Sequence, residues 1–252
     1  MIYYFHKIKG NCKERDINME LRIENLCKSY EKKQVINDAS FTFEAGKIYG
    51  LLGRNGAGKT TLFNCINQDT PIDSGRFYFY ENAGNEQKPA TTDIGYVIST
   101  PTVPEFLTGR EFLKFYLEIN KKQIPNQKNP EEYFDLINLS KEDRGRLMKD
   151  YSHGMKNKMQ MLVNIISNPK LLLLDEPLTS LDVVVSEEMK QILRGMKDDK
   201  IIILSTHILD LALDLCDEIV LLNHGKLELL PKEHLGADDF RTKIIDALKE
   251  GE

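Results

Sequence analysis

The chain has 252 residues, of which 41% are hydrophobic and 29% are charged, a balance that fits one large domain or two closely joined subdomains and argues against disorder over most of its length. Its 34 Lys and Arg residues against 39 Asp and Glu residues give a net charge of −5, so the overall charge gives no reason to favour nucleic acid or an anionic lipid surface. Since no apolar run approaches the roughly 20 residues of a membrane-spanning helix, we expect a chain that cannot cross a bilayer alone.

The first segment, residues 1–18, is polar and irregular after Phe5, whereas Met19 begins an alternating pattern. We interpret it as an extension, and translation that begins at Met19 is the alternative that composition leaves open. The apolar start is too short for a secretory signal, so a cytosolic location is the expectation. Four widely spaced cysteines without a CxxC pattern predict reduced, mostly packed thiols.

A period of two predicts strands over residues 19–52, the last of them a short apolar strand at 48–52, and a further strand at 77–80. From about residue 105 the apolar spacing becomes helical, which predicts a helical insertion over about residues 100–168. The residues at helical spacing are Phe106, Phe112, Leu113, Tyr116, Leu117, Phe134, Ile137 and Leu139.

Strands and helices then alternate. The pattern predicts strands at 171–174, 200–204 and 218–222, with helices at 183–197 and 207–216 between them. This order predicts a mostly parallel sheet covered by helices. Residues 231–252 predict a terminal helical tail that either folds back on its own domain or docks against a second subunit.

A phosphate-binding loop is predicted between the strand at 48–52 and a helix that begins at Thr61. The segment Gly53-Arg54-Asn55-Gly56-Ala57-Gly58-Lys59-Thr60 matches the pattern GxxxxGK[ST]. Glycines let successive backbone N–H groups point at phosphate oxygens, and the following helix adds its positive N-terminal end. Lys59 would meet the outer phosphates and Thr60 would reach Mg²⁺. The alternative is a glycine-rich turn with an exposed lysine.

Two carboxylates, Asp175 and Glu176, follow the apolar run at residues 171–174. Ligands bind at the carboxyl ends of the strands in open α/β sheets, so the position itself suggests a site. Asp175 can hold Mg²⁺ through its water shell, and Glu176 can orient the attacking water and accept its proton. An acidic helix cap after a core strand is the alternative.

The order of these motifs, with Tyr151-Ser152-His153-Gly154-Met155 between them, resembles the nucleotide-binding subunits of ATP-binding cassette transporters from Met19 to about Leu230. The resemblance implies an α/β fold of the P-loop NTPase type, with a mostly parallel core sheet, an N-terminal antiparallel β subdomain and an inserted α-helical subdomain. It implies three divisions: an extension at 1–18, the nucleotide-binding domain at 19–230 and the tail at 231–252.

The resemblance also implies that Ser152 and Gly154, at a helix start, cap the ATP of a second subunit, although His153 and Met155 depart from the family's usual Leu-Ser-Gly-Gly-Gln. An ordinary capped helix is the alternative for this segment. Asp182, in Ser180-Leu181-Asp182, matches the loop that crosses the dimer interface.

His207 matches the histidine that contacts the terminal phosphate and holds the attacking water, and Tyr30 matches the aromatic residue on which adenine stacks. A capping or packing histidine and a half-buried strand tyrosine are the alternatives for these two residues.

Ser99 is the clearest departure, because the family commonly has a glutamine there that contacts the metal and the attacking water. A bridging water could replace the amide, or coupling to the helical insertion could use other groups. Alternatively, Ser99 only begins a loop.

The resemblance implies an ATPase subunit, with ATP and Mg²⁺ as cofactors, that powers a bacterial exporter through dimer closure. The expected partners are a separate membrane-spanning subunit and a second ABC subunit, identical or related, which would place the chain at the inner face of the membrane and leave no role for nucleic acid. A soluble ABC-type ATPase acting on nucleic acid or ribosomes, and a small-molecule kinase, are the alternatives. Single-cassette length and acidic balance argue against the first, and the Ser152 segment and His207 would have no role in the second.

Overall fold

The structure is a computed structural model that describes residues 19–81, 84–124, 126–179 and 181–230. The predicted extension at 1–18, the predicted tail at 231–252 and Ser180 lie outside the described residues.

Strands and helices of the described residues follow the predicted order. The strands are β1 (Met19–Tyr30), β2 (Lys33–Glu44), β3 (Lys47–Leu52), β4 (Ser74–Glu81), β5 (Asn85–Gln87), β6 (Ile94–Val97), β7 (Leu171–Asp175), β8 (Ile201–Thr206), β9 (Glu218–Asn223) and β10 (Lys226–Leu230). The helices are α1 (Lys59–Ile66), α2 (Gly109–Ile119), α3 (Pro130–Leu136), α4 (His153–Ser167), α5 (Val183–Met196) and α6 (Leu209–Leu215).

An antiparallel sheet with the strand order β2-β1-β4-β5 forms the N-terminal part of the described chain. Its alternating apolar residues face a core that they share with α1 and with one side of the larger sheet. Phe43, for example, packs edge-on against Tyr49 with ring centroids 4.9 Å apart. Full burial of each such side chain contributes about 1.5–3 kcal/mol. This shared core fixes α1, and therefore the loop before it, against the larger sheet.

The larger sheet has the strand order β10-β9-β3-β8-β7-β6 and is parallel except for the β9–β10 hairpin. Its central strands are apolar throughout because helices and the second sheet cover both faces. Parallel pairing brings the carboxyl ends of β3, β6, β7 and β8 to one edge, where Leu52 lies opposite Thr206 and Asp175 lies opposite Ser205. The candidate residues that follow these strands therefore meet at that edge.

The helical insertion lies between β6 and β7 and contains α2, α3 and α4. Helix α2 begins with a reciprocal capping box, since the Thr108 hydroxyl accepts from the Glu111 amide and the Glu111 carboxylate accepts from the Thr108 amide. The guanidinium of Arg144 is buried beneath α3 and donates to Leu139 O at 2.9 Å and to Glu131 Oε2 at 2.9 Å. These bonds hold the loop after α3 in place.

The predicted fold class is confirmed: a mostly parallel core sheet, an antiparallel N-terminal sheet and a helical insertion. One expectation within the insertion is wrong, because Phe106 lies before α2 and is 79% exposed. The thiols of Cys65 and Cys216 are buried. Across the described ranges, none of the helices has both the length and the apolar character needed to cross a bilayer.

Three strands, β5, β6 and β10, were not predicted, and some boundaries differ. Strand β8 continues to Thr206 rather than ending at 204, because Ser205 pairs with Asp175 of β7 and Thr206 pairs with Leu52 of β3. Helix α6 consequently begins at Leu209, so His207 lies in the connection before the helix rather than inside it.

Candidate functional site

The phosphate-loop segment folds as a tight loop between β3 and α1. Gly58 is the N-cap of α1 and has a φ of 105°, a left-handed backbone that glycine adopts without strain. A Cβ at this position would lie 2.8 Å from Val35 Cγ1. Conformation and space both therefore require glycine at the turn into the helix.

The ammonium group of Lys59 lies inside the curl of this loop. It donates to Gly53 O at 2.7 Å and to Arg54 O at 3.2 Å, and it lies 3.7 Å from Glu176 Oε1. Burial lowers the pKa of Lys59 below its ordinary value, and the charges of Glu176 and Asp175 oppose this shift. A buried cation that contacts two backbone carbonyls and one carboxylate is suited to receive the oxygens of an anionic ligand.

Asp175 ends β7 and is 5% exposed. Its Oδ2 accepts from Thr60 Oγ1 at 2.7 Å, and its Oδ1 accepts from Ser205 Oγ at 2.6 Å. Both carboxylate oxygens therefore have hydroxyl donors from neighbouring elements, and the first of these donors belongs to the phosphate loop.

Glu176 follows with a φ of 50°, which is an unusual backbone for a residue other than glycine. Its Oε1 lies 3.0 Å from His207 Nδ1, and its Oε2 accepts from Thr179 Oγ1 at 3.1 Å. The left-handed turn directs the carboxylate toward Lys59 and His207 rather than continuing the strand direction.

These residues surround a cavity of about 300 Å³ at the carboxyl edge of the larger sheet. Its walls include these predicted residues: Asn55, Gly56, Gly58, Lys59, Thr60, Thr61, Ser99, Asp175 and Glu176. The structure thus brings the loop, the acidic strand end and Ser99 together, and His207 joins them through Glu176. A cavity of this size, between a buried ammonium and two carboxylates, suits the phosphate part of a nucleotide.

Several predicted residues lie outside this cavity wall. The ring of Tyr30, at the end of β1, is 46% exposed and has Lys28 Nζ 5.4 Å from its centroid. Gly53 and Ala57 belong to the loop but do not line the cavity. Tyr30 is thus free to contact a flat ligand, while Gly53 supplies its carbonyl to Lys59.

Ser152, Gly154 and Asp182 form a second group, separate from this chain's cavity wall. Ser152 is the N-cap of α4, where its Oγ accepts from Met155 N at 3.2 Å. Asp182 is the N-cap of α5, where its carboxylate accepts from Val185 N at 2.9 Å. The structure therefore gives both residues a capping role within the chain and does not bring them to the chain's own phosphate loop.

Comparison with known proteins agrees with this geometry. The family model described as ABC transporter matches residues 36–179, which include the phosphate loop, Ser152 and both acidic residues. The lantibiotic transport ATP-binding protein SrtF of Streptococcus pyogenes is 31% identical over 235 residues, which cover 89% of this chain and 97% of the relative. The bacitracin transport ATP-binding protein BcrA of Enterococcus faecalis is 32% identical over 210 residues, covering 82% and 67%.

This chain belongs to the ABC transporter family. It is an ATP-binding subunit, and ATP hydrolysis is the activity expected of such a subunit. A solved ATP-binding subunit of an ABC transporter is 25% identical, with a TM-score of 0.74 over 89% of this chain and 99% of the other. A dimeric ATP-binding cassette bound to ADP and Pi in a post-hydrolysis state is 18% identical, with a TM-score of 0.69 over 84% and 98%, and supports the fold alone.

Two residues of this ABC subunit were missed as site residues from sequence. Ser205 contacts Asp175 and Glu176, and Thr179 donates to the Glu176 carboxylate. The available signal for Ser205 was a polar residue that ends the apolar strand β8. Recognising its role needed the parallel register that places it opposite Asp175, which no local pattern specifies.

Proposed function

We propose that this ABC subunit hydrolyses ATP to power export through a separate membrane-spanning protein, with ATP binding closing a dimer of ABC subunits and hydrolysis reopening it. The observation that carries the proposal is the convergence of Lys59, Thr60, Asp175 and Glu176 on one cavity, with His207 beside Glu176. Each of these groups has a separate task in transferring a phosphoryl group to water.

The reaction needs a proton acceptor and a stabiliser for charge on the terminal phosphate. Glu176 accepts a proton from the attacking water as the water oxygen bonds to the γ-phosphorus, and the bond from that phosphorus to the bridging oxygen breaks to leave ADP. Lys59 leaves its carbonyl partners and pairs with the β- and γ-phosphate oxygens. His207, 3.0 Å from Glu176 Oε1, orients the carboxylate and donates to the terminal phosphate.

The oxygen atoms of Thr60 and Asp175 suit a magnesium ion. They lie 2.7 Å apart at the cavity wall, and Mg²⁺ prefers one or two protein oxygens together with phosphate oxygens and water. In this proposal Thr60 and Asp175 would hold the ion. When bound, Mg²⁺ neutralises developing charge on the phosphates. Ser99 lies at the same wall, where its hydroxyl is the shorter counterpart of the usual amide.

In the proposed dimer, the start of α4 of one subunit contacts the ATP bound by the other. Ser152 and Gly154 do not line their own chain's cavity, and α4 is a 15-residue helix whose first turn is partly exposed and begins with backbone N–H groups that lack a partner within the helix. Such a helix start attracts a phosphate group. We therefore place it on the γ-phosphate of a twin or related ABC subunit, with Asp182 near the junction. The dimeric relative with ADP and Pi shows that its own fold forms pairs.

The helical insertion is the proposed contact with the membrane-spanning protein. It exposes large apolar side chains in and before α2, with Phe106, Phe115 and Ile119 79%, 57% and 59% exposed. Water-exposed aromatic residues at this density are typical of a surface that a partner covers. The relatives named for lantibiotic and bacitracin transport support export and a position at the inner face of the membrane.

The decisive experiment replaces Glu176 with Gln. We expect Glu176→Gln to bind ATP as the wild type does, to release no phosphate above background and to accumulate as an ATP-dependent dimer in size-exclusion chromatography with light scattering. Glu118→Gln, an exposed carboxylate change on α2, serves as the matched control and should behave as the wild type. Normal hydrolysis by Glu176→Gln contradicts the proposal.

The transport partner is tested separately. Tagged chain purified from gently solubilised membranes should carry a hydrophobic membrane protein, and Phe115→Asp should release it without changing ATP binding. Recovery of ribosomes or nucleic acid in place of a membrane protein would instead support a soluble ABC-type machine.

A further inference from the structure

Ser205 is a buried polar residue near the carboxyl end of β8 in the larger sheet. It is the second-to-last residue of β8, it is 0% exposed, and it lies directly opposite Asp175 in the parallel pair β7–β8. A hydroxyl buried at the end of an otherwise apolar strand needs hydrogen-bond partners. The partners of Ser205 are the two acidic residues of the candidate site.

The direction of each hydrogen bond follows from the chemistry of the groups. The backbone N–H of Glu176 can only donate, so Ser205 Oγ accepts from it at 3.0 Å. The hydroxyl proton is then directed to Asp175 Oδ1, which lies 2.6 Å away and can only accept while ionised. One hydroxyl group therefore links the main chain of Glu176 to the side chain of Asp175.

This link constrains Glu176 through its backbone. Glu176 has the left-handed φ of 50°, which turns its carboxylate toward His207 and Lys59. A residue with a Cβ keeps this conformation only when surrounding contacts hold it. The Ser205 oxygen supplies such a contact at the peptide nitrogen itself.

The same link constrains Asp175 through one oxygen only. Oδ1 is held by Ser205 from the interior of the sheet, whereas Oδ2 faces the phosphate loop and accepts from Thr60. When the Thr60 hydroxyl leaves for another partner, Ser205 still fixes the rotation of the carboxylate. Oδ2 then remains directed at the cavity.

We propose that Ser205 is a positioning residue for ATP hydrolysis, which sets the orientation of Asp175 and the backbone turn of Glu176 with a single buried hydroxyl. This inference rests on the proposed roles of the two acidic residues. It goes beyond them because Ser205 is fully buried and does not line the cavity.

The test compares Ser205→Ala and Ser205→Thr with the wild type. Loss of a residue that hydrogen-bonds a metal-binding side chain typically lowers activity about 10- to 100-fold. We expect Ser205→Ala to lower kcat within that range. The KM for ATP should stay about the same, because the phosphate loop keeps its own contacts. Ser205→Thr retains a hydroxyl and should recover most of kcat.

A binding measurement adds a readout that does not depend on turnover. With a non-hydrolysable ATP analogue and Mn²⁺ as the probe, electron paramagnetic resonance should show weaker Mn²⁺ binding in Ser205→Ala, because the Asp175 carboxylate has lost its fixed rotation. Affinity for the analogue without metal should be unchanged.

Ile203→Val is the matched control, because Ile203 lies in the same strand, is 1% exposed and lies opposite Leu173 rather than an acidic residue. It should lower Tm while leaving kcat and Mn²⁺ affinity unchanged. The proposal is overturned if Ser205→Ala keeps the wild-type kcat, or if Ile203→Val lowers kcat equally at a comparable Tm. Loss of activity in Glu176→Gln checks the proposed function independently, so failure of that function and failure of this inference give different results.

Discussion

Gly154 offers a test in which stability and function should change in opposite directions. It is the second residue of α4, and the nearest atoms to a Cβ at this position would be in Val185 at 3.4 and 3.6 Å and in Leu181 at 3.8 Å, which are ordinary contact distances. The fold of the single chain therefore does not require glycine here. If a second subunit brings a phosphate group against this turn, the added methyl group should obstruct it.

The expected gain in stability follows from the helical backbone. Replacing Gly with Ala in a helix contributes about 0.5–1 kcal/mol, because alanine loses less conformational freedom on folding. For a domain of this size, that gain raises Tm by roughly 1–4 °C. Gly154→Ala should therefore unfold at a slightly higher temperature than the wild type in the absence of nucleotide.

The expected loss of function appears in the presence of ATP. Gly154→Ala in the Glu176→Gln background should form fewer ATP-dependent dimers, while binding of ATP to the single chain stays unchanged. Thermal unfolding by circular dichroism and light scattering with and without ATP are the measurements. A variant that gains stability and still dimerises fully would show that no subunit approaches this turn, and a lower Tm would refute the packing argument.

Mixed dimers identify which chain supplies which group. If Lys59 of one subunit and Gly154 of the other form one site, a mixture of Lys59→Ala and Gly154→Val chains contains dimers with one intact site. Phosphate release from the mixture should then exceed the sum of the two separate variants. Activity no greater than that sum would contradict a site shared between subunits.

Three further predictions concern the insertion and the cavity wall. Thr108→Ala removes the N-cap of α2 and should lower the stability of the fold by about 1 kcal/mol in thermal unfolding, whereas Thr108→Ser should not. Hydrogen bonds from Arg110 and then Arg144 lower the pKa of Glu131 from 4.5 to about 2, so its ion pairs stabilise the folded chain above pH 4.5 and are lost as pH falls toward 2. The Tm difference between wild type and Glu131→Gln should accordingly narrow below pH 4.5, and it should be small at neutral pH because the Glu131 side chain is 43% exposed. Ser99→Gln should leave ATP affinity intact and change the rate of phosphate release, and an equal rate would count against a role for Ser99.

Sequence reasoning was most successful where function depends on neighbouring residues. The phosphate loop needs glycine at fixed offsets and a lysine at the start of a helix, so the local pattern contains the whole requirement. The pattern that predicted the acidic strand end was equally local, since Asp175 and Glu176 directly follow an apolar run of sequence. In both cases the structure places the residues at the same cavity, as their strand positions predict.

Sequence reasoning was least successful where a contact depends on register between distant strands. Ser205 meets Asp175 because β7 and β8 pair in one particular alignment, and a shift by one residue would turn the serine to the other face of the sheet. For Phe106 the error is different, because the sequence pattern indicated a helical residue where the structure has none. Its helical spacing came by chance, since the capping box at Thr108 starts α2 only after it.

Helix α4 connects the two halves of the proposed shared site by direct packing. Its 15 residues extend about 22 Å from Ser152, at the proposed subunit junction, to the turn before β7. Along the way it lies so close to β6 that a Cβ at Gly95 would collide with the Asn164 side chain. Because β6 leads directly to Ser99 at the cavity wall, α4 cannot shift along the sheet without disturbing that wall. In the proposed dimer, the tight contact between Gly95 and Asn164 would therefore link Ser152, at the ATP of one subunit, to the cavity wall of its own chain.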